Sequence, residues 1–414
     1  MGKGWQGNPS MTQGQSSNIL PLTEYTPVRF PPERLSVGLG ETLWRKYSNQ
    51  IAVDFPTPKT DGQWQLTSQG WVGFIPCSPE LGIALRPKVE LENLFRMLEY
   101  AYNLKSFQFL AGLVDCTSLE DFYERLANVL ARRVLDRGRR GFYRAYVPEA
   151  DELPFIKGRL NIRQTLQRPW QVKLPCNYQE HTADIEENQI LCWTLSRIAQ
   201  SGMCTERVLP TVRRASHALR GLASIMPFKP CDCIGLLYNR LNDDYQPLHA
   251  LCRFFLEHSG PGHEFGNRKM LPFLVNMERL YELFVAEWLK THLPPDFILR
   301  VQEKVDVGEE QKISFKIDLV LYDGATGEPL CVLDTKYKAK EQPTPDDVAK
   351  VTAYAEMKGC TEAILVYPTQ LQKPLHASIG KIKTKSMVFQ LAGKLEEAGR
   401  EFLKSLLDVF EQAE

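Results

Sequence analysis

The sequence predicts a multidomain α+β protein with a β-rich N-terminal module, a mainly helical middle region and a C-terminal α/β domain. Its 414 residues exceed the length of an ordinary single domain. Near residue 91 the spacing of apolar residues changes from strand-like alternation to a helical period. From about residue 263, predicted helices and strands alternate, which is typical of a mixed sheet covered by helices. The predicted regions are therefore 1–18, 19–90, 91–262 and 263–414.

The first two regions differ in composition. Residues 1–18 are polar and rich in Gly, Gln and Ser, and we expect them to form a disordered leader. Residues 19–90 contain short alternating runs, of which 64–66, 71–75 and 81–88 are the clearest, separated by turn-forming residues. We expect these strands to form a small β-rich module.

The middle region is predicted to be mainly helical because apolar residues recur there at three- and four-residue steps. Between these helices, residues 153–174 have no helical period and are expected to be extended or loop-like. A glycine-rich segment at 259–262 marks the predicted domain boundary. The predicted helices begin near residue 92 and continue with 119–136, 187–201, 205–223 and 248–257.

The C-terminal region alternates between the two periods. A long amphipathic helix is predicted over 277–293, and a turn at 323–327 joins two strands into a hairpin. The remaining predicted elements are strands at 297–305, 312–322, 330–337 and 363–367 and helices at 345–357 and 395–412. This order predicts an α/β domain with a mixed sheet.

Charge and hydropathy restrict the functional classes. The chain has 50 basic and 50 acidic residues, whereas proteins that bind nucleic acid unaided usually have a basic excess. A local patch or a partner would therefore have to supply strong DNA binding. No apolar run approaches the roughly 20 residues of a membrane helix, and the N-terminus lacks the apolar core of a signal peptide. We expect a cytoplasmic protein that does not contact a membrane.

The predicted hairpin of the C-terminal domain carries the clearest chemical signal. Asp318 lies in its first strand, and Asp334-Thr335-Lys336 ends the second. Because strand side chains alternate between faces, Asp334 and Lys336 share a face, and a suitable register brings Asp318 beside them. Mg²⁺ prefers oxygen ligands, so Asp318, Asp334 and the Thr335 backbone carbonyl are candidate ligands. Lys336 would orient or deprotonate a water, or stabilise negative charge on a phosphate.

Residues on either side of the hairpin are further candidates for the site. Glu282 on the preceding helix is a candidate catalytic acid near the metal, while Lys338, Lys350 and Tyr354 are candidate DNA contacts. Lys350 and Tyr354 are four residues apart and share a helix face. A purely structural role stays open for each candidate. The hairpin strand that carries Asp334 and Lys336 could simply face solvent. Glu282 could be an ordinary surface glutamate, and the helix face of Lys350 could be solvated.

Asp318 and Asp334-Thr335-Lys336, with Glu282 upstream, resemble the PD-(D/E)xK nuclease core. The wider chain, over about residues 20–375, resembles the McrC family, the nuclease subunits of McrBC restriction systems. One departure concerns Lys350, which stands where this nuclease class often has Gln, four residues before Tyr. The segments that carry the wider resemblance are 72–75, 85–89, 95–101, 157–160, 184–188 and 239–245.

The resemblance implies a restriction-endonuclease-like C-terminal domain that cuts DNA with Mg²⁺. It also implies a partner, an McrB-like AAA+ GTPase that recognises DNA with modified cytosine such as 5-methylcytosine. The N-terminal part would stimulate this partner, which would bind the GTP. This chain has no G-x-x-x-x-G-K-[ST] loop, so we do not expect it to hydrolyse nucleotide. Two alternatives remain: a non-catalytic activator of an AAA+ partner, and a stand-alone repair-type nuclease.

Overall fold

The computed structural model describes residues 18–78, 81–102, 118–260, 262–265, 268–307, 313–338 and 341–411. The predicted leader therefore lies almost entirely outside the described residues. The chain forms two compact units. The first comprises the residues up to Lys88 together with Gly260–Val275, and the second comprises Val89–Ser259 and Asn276–Glu414.

The N-terminal elements are mostly strands, as the alternating pattern predicts. They are β1 (Asn18–Thr23), β2 (Val28–Phe30), α1 (Val37–Lys46), β3 (Ile51–Asp54), β4 (Trp64–Ser68), β5 (Trp71–Pro76) and β6 (Leu81–Arg86). Helix α1 was not predicted, because its glycines lower helix propensity. One of them, Gly40, has a packing role, since a Cβ there would lie 2.3 Å from the Trp64 ring.

The middle of the chain is mainly helical, as predicted, and includes the longest helix of the described residues, Leu119–Arg140. Its elements are α2 (Leu91–Ala101), α3 (Leu119–Arg140), β7 (Ala145–Leu153), β8 (Arg159–Leu160), α4 (Ile162–Gln167), β9 (Leu174–Thr182), α5 (Glu186–Gln200), α6 (Leu209–Arg220) and α7 (Tyr245–His258). The stretch 153–174, expected to be extended or loop-like, contains β8 and the short helix α4. Strands β7, β9 and β8 form a small antiparallel sheet.

Three short strands follow: β10 (His263–Phe265), β11 (Arg268–Met270) and β12 (Phe273–Asn276). Strand β12 completes a four-stranded sheet of order β1-β6-β5-β12 in the first unit. The core of this unit includes Leu22, Trp64, Ile83 and Leu274. Residues 263–275, which the sequence analysis placed with the C-terminal domain, thus pack in the first unit. The four-part division of the chain remains a prediction.

The C-terminal elements form a mixed six-stranded sheet of order β13-β14-β15-β16-β18-β17. The pairs β15–β16 and β16–β18 are parallel, and the other pairs are antiparallel. The elements are α8 (Met277–His292), β13 (Phe297–Val307), β14 (Ile313–Asp323), β15 (Pro329–Thr335), α9 (Pro345–Lys358), β16 (Glu362–Tyr367), β17 (His376–Ile379), β18 (Ile382–Val388) and α10 (Leu395–Glu411). The multidomain α+β class is confirmed.

This sheet lies in the second unit together with the middle helices. Helix α9 packs Val351 and Ala355 into the same core as Ala363 and Leu365 of β16. Buried Asn93 of α2 donates hydrogen bonds to the carbonyls of Leu391 and Gly393, at 2.9 Å each. Such bonds satisfy polar groups that would otherwise be costly to bury, and they join the helical region to the sheet. Within the described residues, no helix is long and apolar enough to cross a membrane.

Candidate functional site

Asp334 is the most deeply buried acid of the candidate site. It is the penultimate residue of β15, and its side chain has no exposed surface. The Nζ of Lys336 lies 2.7 Å from Asp334 Oδ2, and the Nζ of Lys350 lies 2.9 Å from Asp334 Oδ1. A carboxylate at this depth needs paired charges, because desolvation of an isolated ion is costly. Two ammonium groups therefore pair with the buried Asp334 carboxylate.

Asp318 comes from the neighbouring strand and meets the same cluster. The β14–β15 ladder pairs Leu319 with Leu333, so the next step of the register places Asp318 opposite Asp334. Asp318 Oδ2 accepts a 3.4 Å hydrogen bond from the Thr335 backbone N–H. Burial raises the pKa of Asp318 to about 6, and the carboxylates of Asp334 and Glu282 contribute to this rise. Asp318 therefore changes charge close to neutral pH.

Lys336 follows the end of β15 and links two acids. Its backbone N–H still donates to the Val366 carbonyl at 2.8 Å, which fixes the main chain beside β16. Besides Asp334, its Nζ lies 3.4 Å from Asp347 Oδ1, near the start of α9. The Lys336 side chain is mostly buried, at 23% exposure, so its ammonium is held within the cluster instead of extending into solvent.

Helix α9 brings Lys350 to the site because its first turn is fixed by a cap. The Thr344 side chain accepts from the Asp347 N–H, and Pro345 takes the first helical position. Desolvation lowers the pKa of Lys350, but the Asp334 carboxylate and its hydrogen bond outweigh it, so the net pKa is raised. Lys350 therefore stays protonated and forms part of the Asp334 site.

The other two candidate DNA contacts, Tyr354 and Lys338, differ in their exposure to solvent. Tyr354 is buried, and its ring packs edge-on against Phe315 at 6.2 Å. The Tyr354 side chain fills the core beneath α9, and its DNA contact remains a prediction. Lys338 is half-exposed and lies 3.4 Å from Glu278 of α8. Its DNA contact remains a prediction.

Glu282 reaches the site through a residue that the sequence analysis missed. The Gln302 side chain on β13 donates a 2.9 Å hydrogen bond to Glu282 Oε1. Gln302 has a φ of 52°, in the left-handed region that a non-glycine residue adopts only at a cost. The β13–β14 ladder pairs Val301 and Glu303 but skips Gln302, which faces Asp318. A glutamine inside a strand pattern gives no sequence signal for such a break.

Asp318 and Asp334 are the candidate metal ligands of this site. Among the described residues, no group of three His, Cys, Asp or Glu side chains has the geometry of a metal site. Mg²⁺, however, is often held by one or two carboxylates together with several waters. Asp318 and Asp334 provide two carboxylates, and buried Asp334 Oδ2 has no hydrogen bond of good geometry although Lys336 lies beside it. This set fits Mg²⁺, and the Thr335 carbonyl remains a predicted third ligand.

We expect Lys350→Gln to keep activity but to shift its pH dependence. The Lys350 ammonium lowers the pKa of Asp318, so its removal raises that pKa further above 6. Glutamine can still donate to Asp334 Oδ1, which limits the structural damage. If the fall in cleavage rate at acidic pH is caused by protonation of Asp318, the midpoint of that acid limb of the pH–rate profile moves to higher pH by several tenths of a unit.

This shift is measured as cleavage rate against pH at low Mg²⁺. The matched control is Lys394→Gln, which removes a lysine paired only with Glu397 on the surface. An acid limb that is the same in Lys350→Gln and the control would contradict the proposed coupling between Lys350 and Asp318.

Fold and site together define a multidomain α+β protein with a carboxylate–lysine centre at one end of a mixed sheet. The model of one family, described as the McrBC 5-methylcytosine restriction system component, matches residues 66–368. The chain belongs to this family.

Individual relatives agree with this membership. The chain is 23% identical over 264 residues to the type IV methyl-directed restriction enzyme EcoKMcrBC of Escherichia coli K12, covering 61% of this chain and 74% of that protein. Its fold is similar to a chain in the half-complex of Thermococcus gammatolerans McrB AAA+ hexamers with bound McrC. That match has a TM-score of 0.55 at 18% identity and covers 95% of this chain and 100% of that chain. A chain of the T. gammatolerans McrBC complex matches with a TM-score of 0.44 at 17% identity, over 67% and 88% of the two chains.

Proposed function

We propose that this protein is the McrC-like nuclease subunit of a modification-dependent restriction system, with a PD-(D/E)xK domain that hydrolyses DNA. One observation carries the nuclease part: buried Asp334, near the end of β15, lies beside Asp318 of the neighbouring strand β14 and is paired with Lys336. Two acids and a lysine at this position match the chemical needs of phosphodiester hydrolysis. Family membership supports the restriction-system part.

Asp318 and Asp334 would hold Mg²⁺ in the active protein, with the Thr335 carbonyl as a further ligand. When bound, Mg²⁺ would supply Lewis-acid activation of water and neutralise charge on the phosphate. Asp318 takes part only when ionised, and its raised pKa makes it depend on pH near 6. The pairing of Asp334 with two lysines fixes that carboxylate in place.

The remaining residues would position the reactants. Lys336 Nζ, held between Asp334 and Asp347, is placed to donate a hydrogen bond to the attacking water or to a phosphate oxygen. Glu282, held by Gln302, adds negative charge near Asp318 and is a proposed catalytic residue beside the metal. Lys338 would contact the DNA backbone beside the site.

The partner we propose is an McrB-like AAA+ GTPase. The T. gammatolerans structure with a similar fold contains McrB AAA+ hexamers with bound McrC, and it covers nearly the whole of this chain. This chain has no phosphate-binding loop of the P-loop type, so GTP would be bound by the partner. Its zero net charge agrees with a subunit whose partner supplies much of the DNA binding. We place this assembly in the cytoplasm, acting on double-stranded DNA with modified cytosine.

The function is tested by reconstitution. The full chain, an McrB-like GTPase, GTP and Mg²⁺ are incubated with plasmid DNA that does or does not contain 5-methylcytosine. We expect cleavage only of the modified plasmid, only with both proteins, and its loss when EDTA replaces Mg²⁺. Stimulation of GTP hydrolysis without any DNA cleavage would favour the non-catalytic activator. Cleavage without partner or nucleotide would favour a stand-alone nuclease.

A further inference from the structure

Strands β13 and β14 extend beyond the rest of their sheet at the end that carries the site. Strand β14 pairs with β13 at both ends of Ile313–Asp323, on either side of Asp318, but with β15 only over 319–322. Residues 303–307 and 313–317 therefore form a two-stranded ribbon that begins directly beside Asp318. A two-stranded ribbon has a width that fits the major groove of DNA.

The two faces of this ribbon differ. On the inner face, Val305 and Phe315 pack against the core beneath α9, and Ile317 is completely buried. On the outer face, Lys304 and Lys316 are exposed. The inner contacts hold the ribbon on the domain, so the position of the outer face relative to the site is fixed.

Lys304 and Lys316 are direct cross-strand partners in the β13–β14 ladder. Like charges at directly opposed positions of an antiparallel pair repel each other and destabilise the pair. No acidic side chain among the described residues forms an ion pair with either lysine. Asp306 is also exposed on this face, but it lies one step further from Asp318, opposite Ser314. The repulsion between the lysines is therefore uncompensated within the described part of the chain.

We propose that Lys304 and Lys316 form a phosphate-binding surface that holds the backbone of double-stranded DNA next to the site. Lys316 precedes Asp318 by two residues of β14, about 6.8 Å along a regular strand, so the surface begins beside the part of the sheet that carries the site. An anionic backbone would relieve the repulsion that the fold leaves uncompensated. The inference rests on the proposed function, since the ligand is the DNA that the site would cut.

Three variants of the full chain separate this role from a structural one. The double variant Lys304→Thr/Lys316→Thr removes both cations and keeps residues that favour strands. Lys316→Glu replaces the repulsion by an attractive cross-strand pair. Lys404→Glu on α10 is the control, because it makes the same charge change at another exposed lysine. Binding to a fluorescent DNA duplex is measured by anisotropy against salt without Mg²⁺, and Tm is measured in parallel.

We expect both ribbon variants to bind DNA about tenfold more weakly than wild type, and the control to bind within about twofold. The slope of log affinity against log salt should fall by about 0.9 for each phosphate that the variant no longer neutralises. Lys316→Glu should have an unchanged or higher Tm although its binding is weaker. A purely structural role would instead lower Tm and binding together.

The results distinguish this surface from the nuclease proposal. Equal binding by wild type and both ribbon variants, or no binding by wild type, overturns the surface. If the reconstituted wild type cuts modified DNA and the ribbon variants cut equally well at each salt concentration, the surface is also wrong while the nuclease stands. If the ribbon lysines govern binding but reconstitution gives no cleavage, the surface is supported and the nuclease proposal fails.

Discussion

Replacing Asp334 with asparagine is expected to reduce DNA cleavage by about a thousandfold or more in the reconstituted complex. The substitution keeps the shape of the side chain but removes the charge that would hold Mg²⁺ and that fixes Lys336 and Lys350. A neutral amide oxygen binds a hard dication more weakly than a carboxylate does, because it carries no net charge. Both the metal and the lysine that would orient the water are therefore affected by one change. The measurement is the initial cleavage rate of modified plasmid with saturating partner and GTP.

Two further measurements show whether the loss arises at the site. Stimulation of the partner's GTPase should stay within about twofold of wild type, since the proposed partner contact lies in the N-terminal module. Asp296→Asn is the matched control: Asp296 is exposed, and it lies beside Gly324 at the other end of the hairpin. Its cleavage rate should equal that of wild type. An Asp334→Asn protein that cuts at the wild-type rate would show that the site is wrongly assigned.

Much of the C-terminal domain follows from local patterns. The acids and the lysine could be placed on one hairpin because side-chain alternation and a short turn restrict the register. The predicted strands at 312–322 and 330–337 lie within two residues of β14 and β15. Helix α9 was likewise predicted, because a proline at its first turn and apolar residues at helical spacing mark it. The structure brings Asp318, Asp334 and Lys336 together, and their catalytic roles remain predictions.

Other features depend on tertiary context that local patterns do not contain. Strands β17 and β18 were not predicted, because their alternation is weak and half of their residues are polar. The left-handed Gln302 is maintained by its hydrogen bond to Glu282, twenty residues away in sequence. Tyr354 shares a helix face with Lys350, but only the structure shows that Phe315 covers its ring. In each case the local structure depends on contacts with residues that are distant in the sequence.

Asp318→Asn is expected to abolish cleavage and to make the protein more stable at pH 8. In the folded protein the pKa of Asp318 is raised to about 6 by burial and by the carboxylates of Asp334 and Glu282. An unfolded aspartate titrates near 4, so the folded chain holds an extra proton between about pH 4 and 6. Above pH 6 the ionised carboxylate destabilises the fold by about 3 kcal/mol, an order-of-magnitude value. Asparagine removes this cost and keeps an oxygen for the Thr335 N–H.

The sign of the effect gives a sharp test. The gain in Tm over wild type should amount to a few degrees at pH 8, decrease through pH 6 and disappear near pH 4. Asp323→Asn, on the same strand, is a control of opposite sign. Backbone hydrogen bonds from Thr326 and Ala325 lower the pKa of Asp323, so its removal should reduce Tm at pH 8 and matter less in acid. If Asp318→Asn instead lowers Tm at pH 8, as Asp323→Asn does, then the ionised Asp318 carboxylate does not destabilise the folded protein. The strongest argument for its role at the site would then be lost.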